Sequence, residues 1–168
     1  CFAIFYLSTA FALAHGTTAL GYDREVFLAV QLAAILFLAL GIIISGVCAD
    51  ATSAARVLTW GCAATIGMGL IFGPLLGSGS LWLVWIVLSL ALFIMGFVYG
   101  PLGAWLPSLF PPRVRYTGAS VAFNAGGILG GAVAPIAAQA LSEMGGTALV
   151  GLYLTIAGVS SLAGLMLA

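Results

Sequence analysis

The segment "RVRYTGASVAFNAGGILGGAVAP" (residues 113–135) opens on two arginines and then stays apolar and glycine-rich for the depth of a membrane. It holds two of the four cationic residues of the chain, and its one amide side chain, Asn124, lies well inside the apolar run. Lipid offers an amide no hydrogen-bonding partner, so Asn124 is expected to face protein or a water-filled cavity. The segment therefore predicts a membrane helix that begins at a charged interface and carries one polar face.

The composition extends this expectation to the whole chain. Apolar residues make up 64% of the 168 residues and charged residues 5%, with a mean hydropathy of +1.29, whereas soluble domains carry roughly 25% charged residues. The net charge is zero and no basic run is present, which argues against nucleic acid as a partner. Cys1, Cys48 and Cys62 show no metal-binding spacing and are interpreted as small packing residues. We therefore expect an integral membrane protein without a cofactor or metal.

Charged and turn residues divide the chain into six apolar segments. Each segment is close to the roughly 20 residues that a membrane-spanning helix needs. The predicted spans are 1–20, 26–47, 57–76, 81–106, 118–141 and 147–168. The sequence therefore predicts an all-α integral membrane fold of six transmembrane helices.

The arginines predict the orientation of these spans. Arg56, Arg113 and Arg115 follow the second and fourth spans, whereas the opposite side carries Arg24 between two acidic residues. Because positively charged loops stay in the cytoplasm, we expect both chain ends to be cytoplasmic, in the plasma membrane (the inner membrane of a bacterium).

The opening segment belongs to a longer stretch with a family resemblance. "FPPRVRYTGASVAFNAGGILGGAVAPIAAQAL" (110–141) resembles the eleventh helix of the metabolite:proton symporters of the major facilitator superfamily. That family is similar in having FPxRVRYTG, a polar residue where Asn124 stands, GxxxGG, and a proline where Pro135 stands. "YGPLGAWLPSLF" (99–110) resembles the end of the family's tenth helix.

This resemblance implies an architecture. The six helices would be the seventh to twelfth of a twelve-helix bundle, folded as two inverted three-helix repeats. The partner of this half would be an N-terminal six-helix half that the chain lacks. The start of the chain at Cys1, inside an apolar run, leads to the same expectation of a longer polypeptide.

The loop after the second span matches the family only in part. "GVCADATSAAR" (46–56) stands where the family has GxxxD(R/K)xGR(R/K). Gly46 and Asp50 fit, but only the shifted Arg56 supplies a cation, and Ser108 stands where many members have glutamate. The resemblance implies that a cytoplasmic gate would be formed by Asp50, Arg56, Arg113 and Arg115. Alternatively, the arginines only anchor helix ends in the lipid phosphates, and both roles are compatible.

Small and polar residues of the opening segment form one stripe, because they recur at steps of three or four along a helix. The stripe consists of Ser120, Asn124, Gly127, Gly131, Pro135 and Gln139. Its glycines permit close approach of a neighbouring helix, and packing alone is the alternative for the whole stripe. A proline in the fourth span is expected to bend it. The predicted hinge or packing residues are Gly100, Pro101, Gly127, Gly131 and Pro135.

Few other polar side chains lie in the spans. The resemblance implies that the first and fourth spans line a central cavity. The substrate-cavity candidates are Tyr6, Thr9, His15, Gln31, Trp85, Tyr99 and Asn124. His15, the only histidine, titrates near neutrality and is a candidate for proton coupling; the alternative is a hydrogen-bonded bystander.

Two functional hypotheses remain. Enzyme motifs such as GxSxG and HExxH are missing, as is any pair of intramembrane carboxylates, which disfavours an enzyme. The resemblance implies the C-terminal half of a secondary transporter that moves a small, carboxylated metabolite or an osmolyte with protons as the coupling ion. The alternative is a membrane packing or assembly module without transport of its own.

Overall fold

The structure, a computed structural model, describes residues 1–167 and folds them into six helices joined by short loops. The helices are α1 (2–18), α2 (Arg24–Ala51), α3 (Ala54–Leu76), α4 (Leu81–Ser108), α5 (Arg115–Gly145) and α6 (Thr147–Leu167). Their ends lie within a few residues of the predicted spans, so the all-α prediction is confirmed.

Five of the helices, α2 to α6, are long and apolar enough to cross a membrane, with lengths of 21 to 31 residues. The first helix is shorter and irregular: a π-helical turn, Leu7–Phe11, separates the α-helical segments Phe2–Tyr6 and Ala12–Thr18. Helix α5 also contains a π-helical turn, Leu129–Val133. Five predicted spans therefore have the length and hydropathy of membrane helices, and α1 remains a predicted span.

The short loops are defined by capping side chains and glycines. The Asp23 carboxylate accepts hydrogen bonds from two backbone N–H groups in the first turn of α2, at 2.8 and 3.3 Å, and Ser53 caps α3 in the same way. Gly146 alone separates α5 from α6, with φ of +77°, a conformation that favours glycine. The Tyr22 hydroxyl donates to the Gly79 carbonyl oxygen at 2.6 Å, so these two loops lie at the same end of the bundle.

The tightest helix contact is between α2 and α4, and glycines make it possible. A Cβ atom on Gly41 would overlap the carbonyl oxygen of Phe93, and one on Gly96 would overlap that of Leu38. Lipid tails are as apolar as leucine, so helix pairs in membranes are stabilised by such close packing rather than by the hydrophobic effect. Helices α2 and α4 therefore form a closely packed pair.

Helices α3 and α6 form the second tight pair, again through small residues and with hydrogen bonds between helices. Cβ atoms on Gly69, Gly73 or Gly151 would overlap backbone or side-chain atoms of the opposite helix. The Thr147 hydroxyl donates to the Gly73 carbonyl oxygen at 2.8 Å. Because α3 also packs along α4, these four helices form one block, against which α1 and α5 pack less extensively.

Gly100 and Pro101, proposed from the sequence as hinge or packing residues, lie inside this block. A Cβ atom on Gly100 would overlap the Ser45 hydroxyl oxygen and approach the Ile42 carbonyl oxygen within 3.0 Å. Pro101 is buried, and α4 continues past it to Ser108. Gly100 thus makes a packing contact with α2, while a hinge at Pro101 stays a prediction.

We expect Gly96→Ala to destabilise the protein by about 1–3 kcal/mol, because the new methyl group has to displace the backbone of α2. Gly103→Ala in the same helix is the matched control, since nothing lies within 4 Å of its added Cβ, and alanine favours the helix by up to about 1 kcal/mol. Thermal unfolding in detergent, followed by tryptophan fluorescence, measures the difference. Equal midpoints for the two variants would contradict the close α2–α4 contact.

Candidate functional site between helices α1 and α5

Two neighbouring grooves lie between α1 and α5. The first, the Asn124 groove, has a cavity volume of about 420 Å³. Its lining includes Phe2, Tyr6, Phe123, Asn124, Gly127 and Gly131. The second, the Gln139 groove, has a cavity volume of about 450 Å³. Its lining includes Phe11, Ala14, Pro135, Gln139 and Glu143.

The small and polar stripe of α5 borders these grooves. Of its six members, all except Ser120 line one groove or the other. The structure therefore turns this face of α5 toward α1 and the open space beside it, and it turns none of the side chains in 115–128 into the buried core.

The two amide side chains of α5 are hydrogen-bonded within their own helix on the donor side. Asn124 Nδ2 donates to the Ser120 carbonyl oxygen at 2.8 Å, and Gln139 Nε2 donates to Glu143 Oε1 at 2.8 Å. Within residues 1–167, Asn124 Oδ1 accepts no hydrogen bond, and the side chain is exposed. The Asn124 groove therefore offers a free acceptor oxygen to a ligand or to water.

The predicted fifth span ends at 141, which leaves Glu143 outside it, and the structure corrects this. Helix α5 continues to Gly145, and it ends there because the next residue, Gly146, has a non-helical φ of +77°. Glu143 consequently lies in the last helical turn, where its carboxylate lines the Gln139 groove and accepts the hydrogen bond of Gln139.

The glycines of α5 make room for the aromatic rings of α1. A Cβ atom on Gly131 would lie 2.9 Å from the Tyr6 ring, and one on Gly127 would lie 3.7 Å from the Phe2 ring. Packing is therefore tight at Gly131 and looser at Gly127.

Pro135 accounts for the π-helical turn that precedes it in α5. A proline inside a helix donates no hydrogen bond, and its ring clashes with the carbonyl group four residues earlier, here that of Gly131. The wider π-helical turn at Leu129–Val133 relieves this clash. Gly130 and Gly131 lie within this turn, directly against α1.

Aromatic side chains connect the Asn124 groove to α4. The ring of Phe123 makes edge contacts with Phe2 at 5.0 Å and with Tyr99 at 6.2 Å. Tyr99 therefore lies beside the groove, although Phe2 and Phe123 are the residues that line it. These two residues were not predicted from the sequence. Their positions could have indicated them, since Phe2 lies one helical turn before the candidate Tyr6 and Phe123 lies directly before Asn124.

Gln31 and Thr9, both cavity candidates, meet at the π-helical turn of α1. Gln31 Nε2 donates to the carbonyl oxygens of Ser8 at 3.0 Å and Thr9 at 2.9 Å. The Thr9 hydroxyl donates to the Phe5 carbonyl oxygen at 2.8 Å. Gln31 thus contacts the α1 backbone and lines neither groove.

The two remaining cavity candidates lie outside the grooves. His15 is half-buried and stacks on Phe11 with 5.6 Å between ring centroids, beside the Gln139 groove. Trp85 stacks on Trp82 at 4.9 Å and contacts Phe37 of α2 at 6.0 Å. The structure therefore brings Tyr6, Tyr99 and Asn124 together and keeps Trp85 apart from them.

The gate candidates are exposed and unpaired with one another. Arg115 begins α5, and its Nε donates to the Phe110 carbonyl oxygen at 3.3 Å. Arg113 lies in the preceding loop, Asp50 in the last turn of α2 and Arg56 in the first turn of α3. Within residues 1–167, no arginine nitrogen lies within 4.0 Å of an acidic oxygen.

Comparison with known proteins gives sequence relatives only; no family model and no solved structure match. The chain is 39% identical over 158 residues to the inner membrane metabolite transport protein YhjE of Escherichia coli (strain K12). Two putative metabolite transport proteins of Haemophilus influenzae are 34% and 33% identical. The chain is homologous to part of a metabolite transport protein. This confirms the transporter resemblance drawn from residues 99–141.

These matches cover nearly all of this chain but only a part of each relative. They cover 91%, 92% and 98% of this chain but only 36%, 38% and 39% of the relatives. The chain therefore spans less than two fifths of the length of the curated relatives that it matches, and those relatives are larger transport proteins.

We expect Asn124→Cys to react with a water-soluble maleimide in membranes at least about tenfold faster than Leu36→Cys, because thiolate formation is suppressed in apolar surroundings. Both positions are exposed, Leu36 by 66%, but Leu36 lies on the apolar face of α2. The three native cysteines, all free thiols, are first replaced by alanine. Equal rates at the two positions would show that the groove is no more accessible to water than the lipid-facing surface.

Proposed function

We propose that the chain forms the C-terminal half of a secondary active transporter of the major facilitator superfamily. It moves a small metabolite together with protons by alternating access. The observation that carries the proposal is the homology to metabolite transport proteins along 91% of the chain. The grooves of α1 and α5 are the part of the chain to which we assign the substrate path.

The helix contacts support a half-bundle of two inverted repeats. In two such repeats, α1 corresponds to α4, α2 to α5 and α3 to α6. Exchanging corresponding helices leaves the contacts α3–α6 and α1–α4 unchanged. The contact α2–α4 maps onto α5–α1, and α3–α4 maps onto α6–α1, and all of these contacts are present. Two three-helix repeats related by a two-fold axis in the membrane plane produce this pattern.

The polar face of α5 supports a second half as partner. Ser120, Asn124, Gln139 and Glu143 are all exposed on the described bundle. In contact with lipid their free polar atoms would remain unsatisfied, and intramembrane polar groups generally face protein or water. We assign this face to the interface with an N-terminal six-helix half, with the aqueous path between the two.

The grooves hold chemistry suited to a small polar substrate. Asn124 and Tyr6 line the same groove. We assign Asn124 Oδ1 as an acceptor and the Tyr6 hydroxyl as a donor for a substrate there. Neither groove is lined by an arginine or lysine within residues 1–167. The charge partner for a carboxylated metabolite would therefore come from the N-terminal half. For protons, His15 and Glu143 are the candidates at the Gln139 groove.

The exposed arginines support a cytoplasmic gate between the halves. Arg113, Arg115 and Arg56 lie at one end of the bundle without an acidic partner in residues 1–167. Ion pairs formed with the N-terminal half in one state and broken in the other would close that end, as in rocking transporters. The positive charge at this end supports a cytoplasmic location for both chain ends.

We expect Asn124→Ala in the full-length transporter to reduce kcat/KM for proton-driven uptake by about tenfold, the value of one hydrogen bond to a charged substrate. Proteoliposomes with an imposed proton gradient are screened with dicarboxylates, aromatic acids and betaines. Thr59→Ala is the control, because its hydroxyl bonds only to the Ala55 carbonyl oxygen of its own helix. Unchanged kinetics of Asn124→Ala would remove Asn124 from the substrate path.

Residues 1–168 reconstituted alone are expected to show no proton-linked uptake, because one wall of the path and the gate partners are missing. The control is the full-length protein in the same vesicles. Uptake by the isolated chain would overturn the two-half proposal.

A further inference from the structure

The π-helical turn of α1 has one candidate for a local cause, the Thr9 hydroxyl, which donates to the Phe5 carbonyl oxygen four residues earlier. Its residues, "LSTAF" (7–11), include neither glycine nor proline, whereas the π-helical turn of α5 is followed at once by Pro135. Such turns are rare because a regular α-helix has better hydrogen-bond geometry, and they concentrate at functional sites. Contacts from outside α1 therefore also bear on the stability of this turn.

Gln31 of α2 makes that contact. Its Nε2 donates to the carbonyl oxygens of Ser8 and Thr9, both inside the turn, at 3.0 and 2.9 Å. Around these groups the hydrogen bonds of the helix change register: the Ala12 N–H bonds both to the Leu7 carbonyl oxygen, five residues back, and to the Thr9 carbonyl oxygen, three residues back. A bilayer offers carbonyl groups in such an irregular turn no water, so the added hydrogen bonds from the Gln31 amide stabilise it.

Ser8 shows that the turn is held against a local preference. Its hydroxyl is fully buried and has no hydrogen-bond partner within residues 1–167. In a regular helix a serine hydroxyl commonly bonds to the carbonyl oxygen four residues earlier. A buried polar group without a partner is unfavourable, and Ser89 in the regular helix α4 is another such group. Ser8 thus adds a cost to the π-helical form that the hydrogen bonds from Gln31 offset.

We propose that Gln31 is a positioning residue that clamps α1 in the π-helical register, and that release of this clamp converts the turn to a regular α-helix and moves Tyr6 out of the Asn124 groove. One residue of register turns the segment 2–6 by about 100° around the helix axis and shifts it by about 1.5 Å. Tyr6 then takes the angular position of Phe5, and Leu7 takes that of Tyr6. Helix α1 thus has two arrangements that present different side chains to the groove.

The test reads out both side chains in the full-length protein in membranes. In a background without native cysteines, Tyr6→Cys and Leu7→Cys are each labelled with a water-soluble maleimide, with Gln31 intact or replaced by Met. Methionine has nearly the shape of glutamine but donates no hydrogen bond. Tyr6 lines the groove and Leu7 is fully buried with Gln31 in place.

We expect Gln31→Met to change the two rates in opposite directions. Loss of two hydrogen bonds within the membrane shifts the equilibrium constant by about tenfold. Labelling at position 7 therefore accelerates by up to that factor, and labelling at position 6 slows in proportion to the π-helical form that is lost. A general loosening of the helix would instead raise both rates. Unchanged rates, or a rise at both positions, would overturn the clamp.

Ser45→Ala is the matched control in α2, because the Ser45 hydroxyl bonds to the Ile42 carbonyl oxygen of its own helix at 3.0 Å. It should leave both labelling rates unchanged, and a reciprocal shift there would contradict a specific role for Gln31. If Gln31→Met does not insert stably, Gln31→Leu carries the same test. Labelling needs no substrate, so its outcome is independent of whether the proposed transport function holds.

Discussion

Inside a bilayer, a carbonyl group or an amide side chain has only the protein itself to bond to, and the arrangement of these helices follows from that constraint. The Asn124 and Gln139 amides return to their own helix, Thr147 reaches from α6 to α3, and Gln31 reaches from α2 to α1. Where no such partner is built in, as at Asn124 Oδ1, we expect the free oxygen to face protein or water.

The same constraint divides the bundle into two parts with different properties. Helices α2, α3, α4 and α6 approach so closely that added methyl groups would overlap backbone atoms of the neighbouring helix. Helices α1 and α5 approach as closely only at Gly130, where an added Cβ would overlap Phe2, and elsewhere meet through aromatic rings over glycines. Each of these two helices is interrupted by a π-helical turn, so the irregular backbone of the bundle lies beside the grooves.

Much of the fold was readable from the sequence because its signals are local. Caps such as Asp23 and Ser53, the long apolar runs and the spacing of the α5 stripe all act within one helix. The predicted fifth span ends at 141, short of the end of α5 at Gly145, because polar residues and two glycines follow it in the sequence, although Gly146 alone suffices for the turn. Trp85 was grouped with the cavity because polarity alone does not tell which face of α4 points toward α5.

The π-helical turn of α1 was beyond sequence reasoning for a different reason. Its hydrogen-bond donor, Gln31, lies 22 and 23 residues away from the two acceptors, and no glycine or proline within it predicts a turn. In α5, Pro135 does indicate an irregular turn, yet the packing of that turn against Phe2 still depends on the position of α1. Contacts between helices therefore determine features of α1 and α5 that the local sequence does not predict.

The single glycine between α5 and α6 has a mechanical consequence. Gly146 leaves no slack at that end of α5, so a movement of α5 relative to α6 is a rotation about Gly146 rather than a translation. Helix α5 has 31 residues, which corresponds to a lever arm of about 46 Å at 1.5 Å per residue. A tilt of about 10° over that length displaces the far end by about 8 Å. The far end is Arg115, so even a small tilt of α5 produces its largest displacement at the end of the bundle that carries Arg56, Arg113 and Arg115.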